Sequence, residues 1–259
     1  RIFVMFGCII QARMGSNRLP GKVMKFLDEK NPSLYYTISQ IKNVKNIKRI
    51  VIATTKLDED DVIYDFTKKM NVDCFRGSAD DVLDRYYQCA KQNKLDKIIR
   101  ITADCPLIDP QLVDNIVEDF NKNEFDYVQN LEPRTFPDGM DVEIFTFNSL
   151  EKAWQDAVLP SEREHVTSYF RNNENKFRIK NIVSKKDLSH FRLTLDYNED
   201  LKLLRTIIKK ISKRPILISD ILSLFLEEPS LIEINKNHVA NEGYKLSLQK
   251  DKEFLKKSY

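Results

Sequence analysis

Three cations crowd one short glycine-bearing segment, Gln11-Ala-Arg-Met-Gly-Ser-Asn-Arg-Leu-Pro-Gly-Lys22, directly behind an apolar run. Gly15 and Gly21 let backbone N–H groups come close to an anion, and Arg13, Arg18 and Lys22 add charge, which together suit a phosphate. A Walker A loop is excluded by spacing. Five residues separate Gly15 from Gly21, and Val23 stands where a Ser or Thr would reach Mg²⁺. The plain alternative is a surface turn with unrelated charges.

Two acids follow apolar runs further along. Ile98-Ile-Arg-Ile-Thr-Ala-Asp104 runs into Pro106, which stops a strand, and Arg192-Leu-Thr-Leu-Asp196 has the same form. A carboxylate at a strand's carboxyl end, opposite a basic loop, is how a divalent cation and a polyphosphate are held together. The competing role is a helix cap, for which Asp109 is better placed. In Phe75-Arg-Gly-Ser78, Gly77 and Ser78 form either a turn and cap or a nucleotide contact. His165 is a candidate base because imidazole titrates near neutrality, although beside Glu162 it also reads as structural.

The elements that must position these residues alternate. Strand-like segments at 2–11, 49–54, 72–75 and 97–102 are separated by helical ones at 33–43, 59–70 and 79–93. Helix 110–123 leads to strand 126–129. This is the rhythm of βαβ units around a mostly parallel sheet. After residue 130 the pattern changes to a strand at 142–147, helices at 150–157 and 163–171, and strands at 177–183 and 192–195. From residue 200 the chain reads as helix. The expected fold is α/β and Rossmann-like, a mostly parallel sheet flanked by helices, with residues 1–200 as the main domain and 201–259 as a helical C-terminal extension.

Composition narrows the class. The 259 residues suffice for a large core, and 42 Lys and Arg against 39 Asp and Glu leave a net charge of +3. That balance does not suit a nucleic-acid scaffold, and no apolar run approaches the roughly 20 residues of a membrane span. Cys8, Cys74, Cys89 and Cys105 form no C-x-x-C pair and the three histidines are scattered, so a zinc site is not expected. Reduced thiols and a cytoplasmic location are the simplest account. The N-terminal apolar run lacks a small-x-small cleavage site and reads as a buried strand rather than a signal peptide.

The segments 10–22, Phe75-Arg-Gly-Ser78, Asp81-Val-Leu-Asp-Arg-Tyr86 and Arg100-Ile-Thr-Ala-Asp-Cys-Pro-Leu-Ile-Asp109 together resemble the SpsF-type cytidylyltransferases, relatives of the CMP-sialate and CMP-3-deoxy-octulosonate synthetases. So do Phe136-Pro-Asp-Gly-Met-Asp-Val-Glu143, Ser161-Glu-Arg-Glu-His-Val-Thr167, Arg192-Leu-Thr-Leu-Asp196 and the tail through Asn241-Glu-Gly-Tyr244. The resemblance implies a nucleotide-diphospho-sugar-transferase-like fold and a Mg²⁺-dependent transfer from CTP to a sugar acid or sugar phosphate. It places Ala12, Arg13, Gly15, Ser16, Arg18, Lys22 and Asp104 in the nucleotide site, with Arg13, Arg18 and Lys22 on the phosphates, Gly15 and Ser16 donating from the backbone, and Arg76, Gly77 and Ser78 against the base. Asp104 and Asp196 would hold Mg²⁺, with Arg13, Lys22 and Asp104 carrying catalysis. Asp138, Gly139, Asp141, Glu143, Arg163 and His165 would line the acceptor pocket. A homodimer through residues around 131–175 is also implied. Rival readings are transfer from another NTP, a glycosyltransferase on the same sheet, or a non-catalytic nucleotide-binding module. At this stage Lys22 is expected to be an exposed loop lysine, and removal of either acid to relieve repulsion between carboxylates.

Overall fold

The computed structural model describes residues 6–238 and 242–257, without the side chains of 242, 243 and 257. Expected strand residues 2–5 and Asn241 of the tail motif lie outside that range.

The sheet is built on β1 (Phe6–Gln11), an almost wholly buried strand. It pairs in parallel with β2 (Arg49–Thr55) on one side and β4 (Lys97–Thr102) on the other. Outside β2 lies β3 (Asp73–Gly77), also parallel. Beyond β4 come β6 (Glu143–Thr146), β5 (Tyr127–Gln129) and β7 (Ile179–Asn181), giving the order β3-β2-β1-β4-β6-β5-β7. Only β6 runs against its neighbours. The mostly parallel α/β sheet is therefore as expected. Because β1 is followed by β2 on one side and flanked by β4 on the other, a crevice opens where Gln11 and Thr102 end in register. Ligands of open α/β sheets bind at such a switch point, outside the carboxyl ends of the strands.

Side-chain alternation along the strands divides the core. Cys8, Ile10, Ile52, Ile99 and Ile101 face one side, against α1 (Ser33–Ile41) and α4 (Pro110–Lys122). Ile9, Val51, Ala53 and Ile98 face the other, against α3 (Val82–Gln92) and α5 (Phe147–Asp156). Helix α2 (Asp61–Lys69) lies between β2 and β3 in the chain. Asp109 caps α4 by accepting from the amides of Gln111 and Leu112 at 2.7 and 3.2 Å, as its sequence position suggested.

Two expectations are corrected. The helix expected at 163–171 is two short ones, α6 (Pro160–His165) and α7 (Ser168–Asn172), broken where Val166 takes φ +60°. The segment 192–195 is no sheet strand; it makes one bridge, between Arg192 and Asp138. The region after residue 200 is helical as expected, and its first helices pack on the main core. In α8 (Asn198–Lys210) and α9 (Ile218–Glu227), Leu203, Leu204, Ile207 and Phe225 join the same core as α1 and α4. Only α10 (Glu242–Lys257) reaches across to α6 on the opposite side. The four cysteines are free thiols, three of them buried and Cys74 half-buried.

The buried amide of Gln40 on α1 joins the segment before α9 to the loop between β4 and α4. Its Nε2 donates to the carbonyls of Ile108 and Ile216 at 3.0 and 2.5 Å, and its Oε1 accepts from the Ile216 amide at 3.0 Å. Gln40→Leu strands three buried backbone groups and should lower stability by roughly 2 kcal/mol or more. Denaturant melts of the two proteins measure this, and an unchanged midpoint would show that water replaces the lost bonds.

Candidate active site

The basic loop leaves β1 under two restraints. The Met14 amide donates to Asp60 Oδ1 at 2.6 Å, and Asp60 is itself fully buried and bonded to Thr55. Gly21 sits in the left-handed region at φ +66° and donates to the Met14 carbonyl at 3.0 Å. Leu19 and Val23 are buried beneath. Between these anchors the amides of Gly15, Ser16 and Asn17 donate to no acceptor among the described residues. Ser16 Oγ accepts from the Leu19 amide at 3.4 Å. Free amides beside arginines form an anion cradle.

At the loop's end, Lys22 Nζ lies between Asp104 Oδ2 at 2.5 Å and Asp196 Oδ1 at 2.7 Å. Arg18 Nη2 reaches the same Asp196 oxygen at 2.7 Å, and Arg192 Nη2 the other at 3.1 Å. Asp200, fully buried, accepts from Arg192 Nε at 2.9 Å and from the Asp196 amide at 2.9 Å, fixing both. Burial opposes the Lys22 ammonium, yet Asp104 and Asp196 hold its pKa above the usual lysine value. Burial likewise works against the Asp196 carboxylate, but Lys22 and Arg18 overcome it and hold it down to about 2. Lys22 is thus not the exposed lysine expected from sequence. The two acids do not repel each other across an empty gap, because an ammonium lies between them.

Two hard oxygen donors converging on one point suit Mg²⁺, which commonly takes one or two carboxylates and completes its shell with phosphates and water. The point is held by Lys22 Nζ, so the donors fit a metal once the ammonium turns toward a phosphate. Among the described residues no group of three acids, histidines or cysteines gathers to bind one.

A cleft of about 710 Å³ opens above this cluster. Ala12, Arg13, Gly15, Ser16, Arg18, Lys22 and Asp104 line it, so the structure brings the expected loop and first acid together. Asp196 lies just beneath Lys22. The segment 76–78 is elsewhere. Arg76 Nε and Nη2 donate to the carbonyls of Thr55 and Leu57 at 2.8 Å each, and Nη1 to Asp61 at 2.5 Å. Arg76, Gly77 and Ser78 line a separate shallow recess with Lys56 and Gln88.

Of the six residues expected around the acceptor, only His165 lines the cleft. Gly139, at φ +101°, would bring a Cβ to 2.5 Å from the Thr194 amide nitrogen, so its glycine serves a backbone crossing. Asp138 bonds Arg192 at 2.8 Å and Asp141 bonds Arg134 at 2.5 Å. Burial, then Asp141, pushes the Asp138 carboxyl up to about 6 against the pull of Arg134 and Arg192. Arg163 ties α6 to the cap of α3 through Asp81 at 2.9 Å. Glu143 is buried, pairs with Arg100 and accepts from the Tyr127 hydroxyl at 2.5 Å. Sequence reasoning passed over Arg100 and Arg85 as cleft residues. Both carried a signal: Arg100 interrupts an apolar strand, and Arg85 falls at helical spacing with Val82, Tyr86 and Cys89 on the apolar face of α3.

Helix α10 supplies one wall. His165 Nε2 and Ser247 Oγ are 2.8 Å apart, and Ser247 Oγ also donates to Glu164 at 2.9 Å. Lys250 Nζ reaches Glu164 at 3.1 Å, and Asp251 accepts from the Ser161 amide at 2.8 Å.

A cationic loop and paired acids at the switch point of a parallel sheet define a nucleotidyltransferase. A family model described as cytidylyltransferase matches residues 7–228, and the chain belongs to that family. It is 37% identical over 239 residues to an uncharacterised protein of Methanocaldococcus jannaschii, covering 92% of this chain and 96% of that one. It is 32% identical over 229 residues to the spore coat polysaccharide biosynthesis protein SpsF of Bacillus subtilis, covering 85% and 94%. A 3-deoxy-manno-octulosonate cytidylyltransferase of Thermodesulfovibrio yellowstonii is 26% identical over 190 residues, covering 68% and 72%. The solved structure of a cytidylyltransferase from Leptospira borgpetersenii superposes with a TM-score of 0.86 at 36% identity, over 92% of this chain and 100% of that one.

Burial depresses the His165 imidazole to about 4, against the pull of Glu164, so it is neutral at neutral pH. An unfolded histidine titrates near 6.5, so the unfolded state gains its proton first as pH falls. The wild type should therefore lose stability relative to His165→Gln as pH falls from about 6.5 to about 4, and not above. Urea melts at pH 7.5 and pH 4.5 measure this; a difference independent of pH would mean that the ring is not held neutral.

Proposed function

We propose that the enzyme is a Mg²⁺-dependent cytidylyltransferase that activates a sugar acid or sugar phosphate with CTP, in the cytoplasm, for surface glycan or glycoconjugate synthesis. The observation that carries this reading is Lys22 between Asp104 and Asp196, beside a loop with free amides at the sheet's switch point. The acceptor class is supported by the relatives whose names give a 3-deoxy-manno-octulosonate substrate and spore coat polysaccharide synthesis. No helix among the described residues is long and apolar enough to cross a membrane. A homodimer through residues 131–175 belongs to the same reading, with Val158 exposed at 67% in that segment.

In the reaction, an acceptor hydroxyl or phosphate oxygen attacks the α-phosphorus. The bond to the β-phosphate breaks, pyrophosphate leaves with its electron pair, and the proton of an attacking hydroxyl passes to solvent. Such transfers depend on positioning and charge neutralisation more than on covalent help. Arg13 and the amides of Gly15 to Asn17 grip the phosphates, while Lys22 and Arg18 turn from the acids to meet charge growing on the leaving group. A Mg²⁺ ion held by Asp104 and Asp196 supplies charge neutralisation at the phosphates when bound. His165, neutral and bonded to Ser247, orients the acceptor side of the cleft.

Pyrophosphate release from CTP, UTP, GTP and ATP, each with a panel of sugar acids and sugar phosphates, tests the reading. CTP should be used with one acceptor class. Release from another NTP alone would change the donor, and no release from any would favour a glycosyltransferase or a binding module.

Lys22→Ala should lower turnover on the order of 10²-fold or more, as for loss of a transition-state donor. It should also cost roughly 1–3 kcal/mol of stability, less than for a fully buried pair because the Asp104 side chain is 25% exposed. Near-normal pyrophosphate release would remove the loop from the mechanism. Asp104→Asn should raise the Mg²⁺ concentration needed for half-maximal rate and lower the melting temperature, since Lys22 loses a partner. An unaltered Mg²⁺ requirement would leave Asp104 as a partner of Lys22 alone.

A further inference from the structure

Arg85 is a buried cation without a counterion. It lies on the first turns of α3, its residue only 1% exposed, yet its side chain makes no hydrogen bond or ion pair among the described residues. Burying an unpaired charge is among the costliest arrangements a fold can keep. The two acids that favour its charge, Asp60 and Asp81, form their own bonds elsewhere. Asp60 has one oxygen on the Met14 amide and the other on Thr55, while Asp81 has one on the Asp84 amide and the other on Arg163. Burial and the neighbouring Arg13 both lower its pKa, against Asp60, Asp81 and Tyr86.

The fold makes room for this side chain. A Cβ on Gly77 would lie 2.9 Å from Arg85 Cγ and 2.8 Å from a Phe75 ring carbon. The glycine read from sequence as a nucleotide contact thus lets the arginine stem cross the end of β3. The guanidinium borders the cleft, and so do Gln11 and Arg100. Gln11 Oε1, Arg85 Nε and Arg100 Nε all lack a partner among the described residues. One wall of the cleft therefore concentrates unmet hydrogen-bonding capacity, which water or a ligand must satisfy.

We propose that Arg85 is a nucleotide-binding residue whose guanidinium is completed by an acceptor atom of the nucleotide in the cleft. The atom is a phosphate oxygen, shared with the nearby Arg13, or the ring nitrogen and carbonyl oxygen of the pyrimidine edge. Both offer lone pairs to a planar fork of donors. The assignment rests on the cytidylyltransferase reading and extends it to a residue on α3, outside the basic loop.

Calorimetric titration of the full chain with CTP, inorganic tripolyphosphate and cytidine tests it, using wild type, Arg85→Met and Arg85→Lys. Arg85→Met should melt no lower than wild type, because it removes an unpaired buried charge. Its CTP dissociation constant should rise on the order of ten- to a hundredfold. A matching loss for tripolyphosphate identifies the phosphate, whereas a loss confined to CTP and cytidine identifies the base. A folded Arg85→Met that binds CTP within about twofold of wild type overturns the proposal. So does a lowered melting temperature with CTP affinity intact, or failure of both variants to fold, since each makes Arg85 structural. If wild type binds no CTP, the cytidylyltransferase reading fails instead, and Arg85 is scored on whichever of UTP, GTP or ATP the wild type binds.

Discussion

The candidate active site depends on the placement of one ammonium group. Lys22 is brought from the loop after β1 to lie between acids that follow β4 and precede α8. Each charge would be costly at that depth alone, and together they neutralise one another. Arg18, Arg192 and Asp200 extend the pairing inward, to the Asp196 backbone and the buried Asn235 amide. The cluster holds itself together while every member at its surface is a group that phosphate or a hard cation can bind.

The architecture was legible because its signals are local. Apolar runs bounded by turn residues marked β1 to β4, and Asp109 announced the start of α4. The basic loop and Asp104 were legible for the same reason, each lying at the end of such a run. Asp196 was found as an acid, but not as the partner of Lys22, because that contact joins residues 174 positions apart. Most of the expected acceptor set lies away from the cleft for a related reason. Asp138, Asp141, Arg163 and Glu143 are polar residues in quotable motifs, but their partners Arg192, Arg134, Asp81 and Arg100 are distant or hidden in the pattern. Here those polar side chains are spent on ion pairs within the fold.

The same distinction separates Arg76 from Arg85. Arg76 looks like a binding residue from sequence, but its donors go to two carbonyls and an acid. Arg85 looks like a misplaced charge on an apolar helix face, but it has no such commitment among the described residues. Which arginine is available to a ligand was a matter of what each already held. Nor did sequence suggest that α10 would return to the cleft, where Ser247 meets His165 and Lys250 meets Glu164.

The crossing at Gly139 also bears on the order of assembly. Residues 138–139 pass against the backbone of 192–194, and that passage delivers Asp196 beneath Lys22. During synthesis the basic loop and Asp104 are complete well before their last partner emerges. Contacts of such long separation form late and slowly compared with local ones. A growing chain therefore carries the cationic loop without its full counter-charge, and the final third of the polypeptide converts an anion-attracting surface into a charge-balanced cleft.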